Sequence, residues 1–289
     1  MMSNKKELVL GTAQWGWTIG REKAFEILEY WLNAGFRAVD CATNYPINRQ
    51  PACFRAAEGI LSEFVQAHGL NNLDVTMKIG STDNMRTPDN NLSSSFIQMI
   101  GHEYGRILGK NLGCLMIHWD NRDREEEIEN TLTGLRRVCS ELQCRMGLSG
   151  VRNPDVYARV RGTDTFDIQV KHNVLFSDLE RYTPWLPSET HRYYAYGINA
   201  GGIKLPGEAY SGTSTYIVRG GNPELNEEQT ERIRSLTERY RQDKGTEISR
   251  MWQLGLTHAI SENALHGIIA GISSVDQLKE LISWYEVQQ

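Results

Sequence analysis

A chain of 289 residues, 40% hydrophobic and 23% charged, has the make-up of an ordinary globular protein and is long enough to bury a large core. Its net charge of −5 and lack of any basic run point away from nucleic acid and anionic membrane as partners, although backbone amides can bind a phosphate without net positive charge. Five cysteines without a CxxC pair argue against a disulfide scaffold or zinc site and for a reducing compartment; with no signal-peptide pattern and no run of eighteen apolar residues, the expected location is cytoplasmic.

Short apolar runs alternate with amphipathic stretches from end to end. Strands are expected at 7–10, 36–40, 73–78, 113–118, 145–149, 166–170, 192–197 and 266–271. Most are nearly continuous apolar runs, as parallel strands covered on both faces should be. Between the fourth and fifth, Ile128, Leu132, Leu135, Cys139 and Leu142 recur at helical spacing and make one apolar stripe over 124–143. Val275, Leu278, Ile282 and Tyr285 repeat that spacing near the C-terminus. Residues 205–225, rich in Gly, Ser, Thr and Pro, read as a long loop, a lid or cofactor clamp by position, followed by helices at about 226–243 and 246–263. Eight strands alternating with helices in this length predict an α/β fold, one (β/α)8 TIM barrel occupying 1–289 as a single domain.

Barrels of this kind place reactive groups at the C-terminal ends of strands. Asp40 ends the second predicted strand and Tyr45 follows five residues later; Lys78 ends the third and His118 the fourth. The four types suit reduction of a carbonyl, which creates a negative oxygen that must take a proton. A free phenol, with a pKa near 10, is a reluctant donor, and a nearby ammonium lowers that pKa by stabilising phenolate. Asp40 would hold Lys78 charged, and His118 would orient the substrate oxygen. Taken singly each has a plainer reading: a loop cap, an ion pair, ring packing before Pro46, a half-buried histidine. Four at neighbouring strand exits are harder to explain that way.

The ordered series of motifs resembles the aldo-keto reductase superfamily. AVDCATNY (38–45), DVTMKIG (74–80), CLMIHWD (114–120), RMGLSGV (145–151), DIQVKHN (167–173), AYGINAGG (195–202) and IIAGISSVDQLKEL (268–281) are similar to that family's successive strand segments. The resemblance implies an oxidoreductase in which Asp40, Tyr45, Lys78 and His118 form the catalytic tetrad. It implies nicotinamide contacts from Ser149 and Gln169, with Tyr196 stacked on the ring and Thr12 nearby, and phosphate and adenosine contacts from Gly271, Ser273, Gln277 and Glu280. It favours NADP(H) over NAD(H), with a small-molecule carbonyl compound as substrate and no metal. This chain departs from the usual pattern in carrying Gly150 for Asn, Ile272 and Gln277 for the Lys and Arg of some members, and Leu281 for Asn. Gln cannot reproduce the bidentate grip of Arg on phosphate, which weakens the case for NADP(H). Trp15, Trp17, Asn44, Asn48, Arg49, Trp119 and Arg152 are candidate pocket residues, suited to a sugar-like or anionic aldehyde. Alternative readings of the same barrel are reduction or rearrangement of a nucleotide-linked keto-sugar, and cofactor sensing by a regulatory protein.

Overall fold

The computed structural model describes residues 5–288 except 86, 206–207, 211–214, 219–224 and 246. Strands β1 (Glu7–Gly11), β2 (Ala38–Ala42), β3 (Asp74–Ile79), β4 (Leu112–His118), β5 (Arg145–Ser149) and β6 (Asp167–Asn173) are followed by the two-residue β7 (Phe176–Ser177), then β8 (Arg192–Tyr196) and β9 (Leu265–Gly271). All but β7 pair in parallel in the order β5-β4-β3-β2-β1-β9-β8-β6, and β5 pairs with β6 to close the ring into an eight-stranded barrel. β7 is a short antiparallel return against the end of β6.

Helices α1 (Arg21–Asn33), α2 (Ala56–Ala67), α3 (Ser94–Leu108), α4 (Glu125–Leu142) and α5 (Pro154–Val160) each connect one barrel strand to the next. The short α6 (Leu179–Tyr182) precedes β8; α7 (Thr215–Val218), α8 (Glu227–Lys244) and α9 (Met251–Ser261) lie between β8 and β9, and α10 (Val275–Gln288) follows β9. The α4 stripe does what its spacing predicts: Ile128, Leu132, Leu135 and Cys139 are buried against the core. Glu125, Glu126 and Glu127 sit in its first turn, where the helix dipole favours negative charge. α8, a mostly polar helix, is started by a reciprocal cap between Asn226 and Gln229.

The second strand was expected at 36–40 but runs from Ala38 to Ala42. Phe36 instead stacks on Trp31 of α1 at 4.4 Å, and Arg37 turns back to bond the Leu32 and Phe36 carbonyls. Asp40 is therefore mid-strand rather than terminal. The 205–225 loop, expected to act as a lid or clamp, lies largely outside the described residues. No described helix is long and apolar enough to cross a membrane.

Inside the barrel, alternate strand residues face the axis. Near the N-terminal ends of the strands the inward set is ionic: Arg145 bonds Asp74 at 2.7 Å and Asp167 at 2.9 Å, and Arg192 bonds Asp167 at 2.7 and 2.8 Å. Above it lies a layer built on Val9, Ala38, Tyr194 and Ile269. Two residues further along each strand, the same alternation assigns Gly11, Asp40, Lys78, His118, Ser149, Lys171, Tyr196 and Gly271 to the C-terminal mouth. Six of these were singled out from the sequence; Lys171 and Gly11 were not.

Candidate active site

Lys78 is the hub. It comes from β3, is 3% exposed, and its ammonium donates to Asp40 Oδ2 at 2.6 Å, Tyr45 Oη at 2.8 Å and Gln169 Oε1 at 3.1 Å. Asp40 lies on the neighbouring β2, and its second oxygen accepts from Gln169 Nε2 at 2.5 Å. Gln169 reaches this pair from β6, on the far side of the ring. The amide thereby meets the carboxylate through its nitrogen and the ammonium through its oxygen, the only sense in which both contacts are favourable. It retains one hydrogen and one lone pair for a further partner.

Tyr45 stands in the loop after β2. Its backbone N–H bonds the Ala42 carbonyl at 3.1 Å, and Asn84 Nδ2 ties down the same loop at Pro46 O, Asn48 Oδ1 and Gln50 O, at 3.3, 3.1 and 2.8 Å. His118, at the end of β4, presents its ring edge-on to Tyr45, with centroids 6.2 Å apart at 89°. Its Nδ1 is buried without a hydrogen-bond partner. All four residues expected from the sequence are thus brought together, and Gln169 joins them.

The electrostatics follow from burial in company. Burial alone would lower the Lys78 pKa, but Asp40 outweighs it and the ammonium is held above its ordinary value. Burial pushes the Tyr45 phenol up to about 12; Lys78 pulls the other way and Asp40 adds to the rise. The lysine therefore acts in the expected direction without prevailing, and the resting phenol is neutral. Burial, reinforced by the Lys78 charge, holds the His118 pKa well below its usual value, so the imidazole is neutral too.

The remaining expected residues fall into two groups. Ser149 ends β5, buried, and Tyr196 ends β8, partly exposed. Thr12 is wholly buried and its hydroxyl donates to the Asp40 carbonyl at 2.9 Å, so its visible task is to join β1 to β2. At the other end of the mouth, β9 runs out at Gly271, where an added Cβ would meet nothing within 4 Å. Ser273 then donates its N–H and hydroxyl to Gln277 Oε1 at 3.1 and 2.7 Å, while Gln277 N–H donates to Ser274 Oγ at 3.2 Å. Glu280 is exposed on α10.

The departures from the resemblance have physical causes. Ile272 and Leu281 are buried at 4% and 6%, so they serve the core and leave no charge facing the mouth. Gly150 has φ +66°, and a Cβ there would come within 2.5 Å of Trp119 Cδ1. Trp119, itself at φ 61°, occupies the space that a side chain at 150 would need. Among the pocket candidates, Trp15 is fully buried in the core, whereas Arg49 and Arg152 are exposed. Asn44 is fully buried with neither amide atom partnered, and Asn48 Nδ2 is likewise unpartnered. Lys171 is exposed at the mouth, its ammonium 5.1 Å from the Phe176 ring centroid. Only the inward parity of β6, counted on from Gln169, would have found it.

The chain matches the family model described as "Aldo/keto reductase family" over residues 7–289. A solved structure, "aldo-keto reductase AKR11C1 from Bacillus halodurans (holo form)", resembles it with a TM-score of 0.69 at 16% identity, covering 97% of this chain and 86% of that one. At that identity the likeness is one of fold. No curated protein sequence matches.

The buried pair should reveal itself in stability. Lys78→Met leaves the Asp40 carboxylate buried beside a single amide donor and should cost about 3–5 kcal/mol of unfolding free energy, the usual loss when one partner of a buried pair is removed. Adding Asp40→Asn should restore part of that loss. Urea denaturation of the two single variants and the double variant checks this; additive losses would mean that the two groups are not coupled.

Proposed function

This chain belongs to the aldo/keto reductase family, and from that premise we propose that it reduces an aldehyde or ketone to an alcohol with a nicotinamide dinucleotide, Tyr45 being the proton donor. The observation that carries the reading is the 2.8 Å contact between the Lys78 ammonium and the Tyr45 hydroxyl, with the ammonium itself fixed by Asp40 and Gln169. The nicotinamide, when bound, supplies hydride. The residues do the rest. A neutral phenol presents a proton where the carbonyl oxygen gains charge, and a phenol is a stronger acid than the alcohol being made. As the proton leaves, the phenolate forms next to a charge already in place, so no reorganisation is needed at that moment. Neutral His118 offers a ring N–H to the same oxygen and orients it.

The chain's residues fit such a cofactor. Ser149 and the remaining hydrogen and lone pair of Gln169 suit a carboxamide, and Tyr196 offers a ring at the strand end. Gly271 leaves room for close approach, and the start of α10 offers amides and hydroxyls for phosphate. Lys171 adds a solvent-facing positive charge to the mouth. The assignment to NADP(H) rests on the family resemblance, since Ser273, Gln277 and Glu280 supply no cation for a 2′-phosphate. The unpartnered amide atoms of Asn44 and Asn48, with Arg49 and Arg152, support a substrate rich in hydroxyl groups, sugar-like in kind. We also assign the activity to one domain and to the cytoplasm, the latter on its free cysteines.

Tyr45→Phe removes one hydroxyl and keeps the ring. Single-turnover hydride transfer should fall by about 10²–10⁴-fold with cofactor affinity nearly unchanged, the contribution usual for a positioned acid. A variant retaining more than about a third of the rate would overturn Tyr45 as the acid.

For the cofactor, fluorescence titration should give NADPH a lower dissociation constant than NADH by less than about tenfold, because discrimination beyond about 1.4 kcal/mol calls for a charged partner. Tighter binding of NADH would overturn the NADP(H) assignment. Failure of both to bind below the millimolar range would overturn the oxidoreductase reading.

A further inference from the structure

At the opposite end of the barrel from Tyr45, α4 stops at Gln143, which adopts the left-handed conformation at φ 56°, ψ 39°. The next N–H, that of Cys144, reaches back to the Cys139 carbonyl at 3.1 Å. This is the Schellman closure of a helix, and the side chains at the two ends of its long hydrogen bond characteristically meet over the helix terminus. In most proteins that contact is apolar. Here both side chains are thiols.

Their surroundings differ in a useful way. Cys139 is 4% exposed, and its Sγ lies 3.6 Å from the Arg145 carbonyl. Cys144 is partly exposed, and both residues line an open groove of about 770 Å³ at the start of β5. The two thiols lie close enough to influence each other's ionisation. Cys139 draws the Cys144 thiol below its ordinary pKa against the effect of burial, with Arg145 assisting, and Cys144 raises that of Cys139, where burial adds to the rise. The more exposed sulfur is the better nucleophile, and the sheltered one keeps its proton.

We propose that Cys139 and Cys144 form a reversible dithiol site for hydroperoxides, with Cys144 as the attacking sulfur and Cys139 as the resolving one. Cys144 thiolate attacks one oxygen of the peroxide; the O–O bond breaks, leaving a sulfenic acid and releasing water or an alcohol. Cys139 then attacks the Cys144 sulfur. An S–S bond forms, the S–O bond breaks, and hydroxide leaves as water with the Cys139 proton. The two sulfurs together lose two electrons and the peroxide gains them. The helix closure already brings the two backbones together, as a disulfide requires. Such a bond is reversible in a reducing compartment, so it is a switchable modification rather than a structural staple.

The sequence makes the test direct, because the tryptic peptide 138–145 contains both cysteines. The whole protein is treated with hydrogen peroxide, alkylated, digested and weighed. The expected product is this peptide two hydrogens lighter and unalkylated, returning to the doubly alkylated form after dithiothreitol. Cys53, partly exposed and with its thiol directed to Gln50 Oε1 at 3.7 Å, is the internal control and should react about tenfold more slowly, since it lacks a second thiol to activate it. In Cys139→Ala, Cys144 should persist as a sulfenic acid that dimedone traps. Two freely alkylated thiols when Cys53 has already reacted would overturn the proposal, as would oxidation of Cys144 to sulfinic acid with no disulfide. The wild-type measurement decides even if the variant does not fold.

Discussion

An ammonium sunk inside a barrel must be met by oxygen on the sides that water has left, and Lys78 sets that requirement for the whole mouth of this molecule. An isolated buried charge would cost several kcal/mol and would be relieved by losing its proton. Lys78 keeps it because Asp40 supplies the counter-charge, while Gln169 and Tyr45 complete the set of acceptors. The same charge then acts outwards. It lies 2.8 Å from the phenol, ready for the phenolate, and it helps keep His118 neutral. Burial thus keeps both neighbours neutral, with the buried cation reinforcing it at His118 and opposing it at Tyr45.

The barrel makes this geometry cheap to hold. Adjacent parallel strands put Asp40 and Lys78 on neighbouring inward positions, and ring closure brings Gln169 across to both. Of Asp40, Tyr45, Lys78 and His118, Tyr45 alone lies on a loop, and that loop is where the extra fastening is found: Asn84 holds it at three oxygens. Beyond His118, Trp119 folds over Gly150, and the pairing of their left-handed backbones makes a bulkier residue at 150 incompatible with that indole position. A residue that looks like a lost contact in the sequence is therefore part of a local exchange.

Much of this was legible in the sequence because barrel strands are buried on both faces and write long apolar runs, and because reactive groups in such a fold gather at strand exits. The boundaries of β2 were not, because Phe36 is apolar for a different reason, its stack on Trp31. Nor was the position of Gln169 between Asp40 and Lys78, since those partners lie 129 and 91 residues away and meet only when the ring closes. Ile272 and Leu281 read as altered ligands until their burial showed them to be core. The sign of the phenol shift was the subtler matter. Residue types alone name the ammonium that lowers it, whereas the larger opposing effect is desolvation, which depends on depth and has no sequence motif.

The central claim is that Tyr45 rests as a neutral phenol beside a charged lysine. Carbon-13 NMR of protein labelled at tyrosine Cζ, with Tyr45→Phe used to assign the resonance, reads that state directly. The account predicts that the Tyr45 signal stays at the neutral position through about pH 10, where a free phenol is half ionised, and moves only towards about 12. A Tyr45 resonance that titrates below about pH 9, under the ordinary phenol value, would contradict it: the lysine would then be outweighing burial, and the resting group would begin to ionise near working pH.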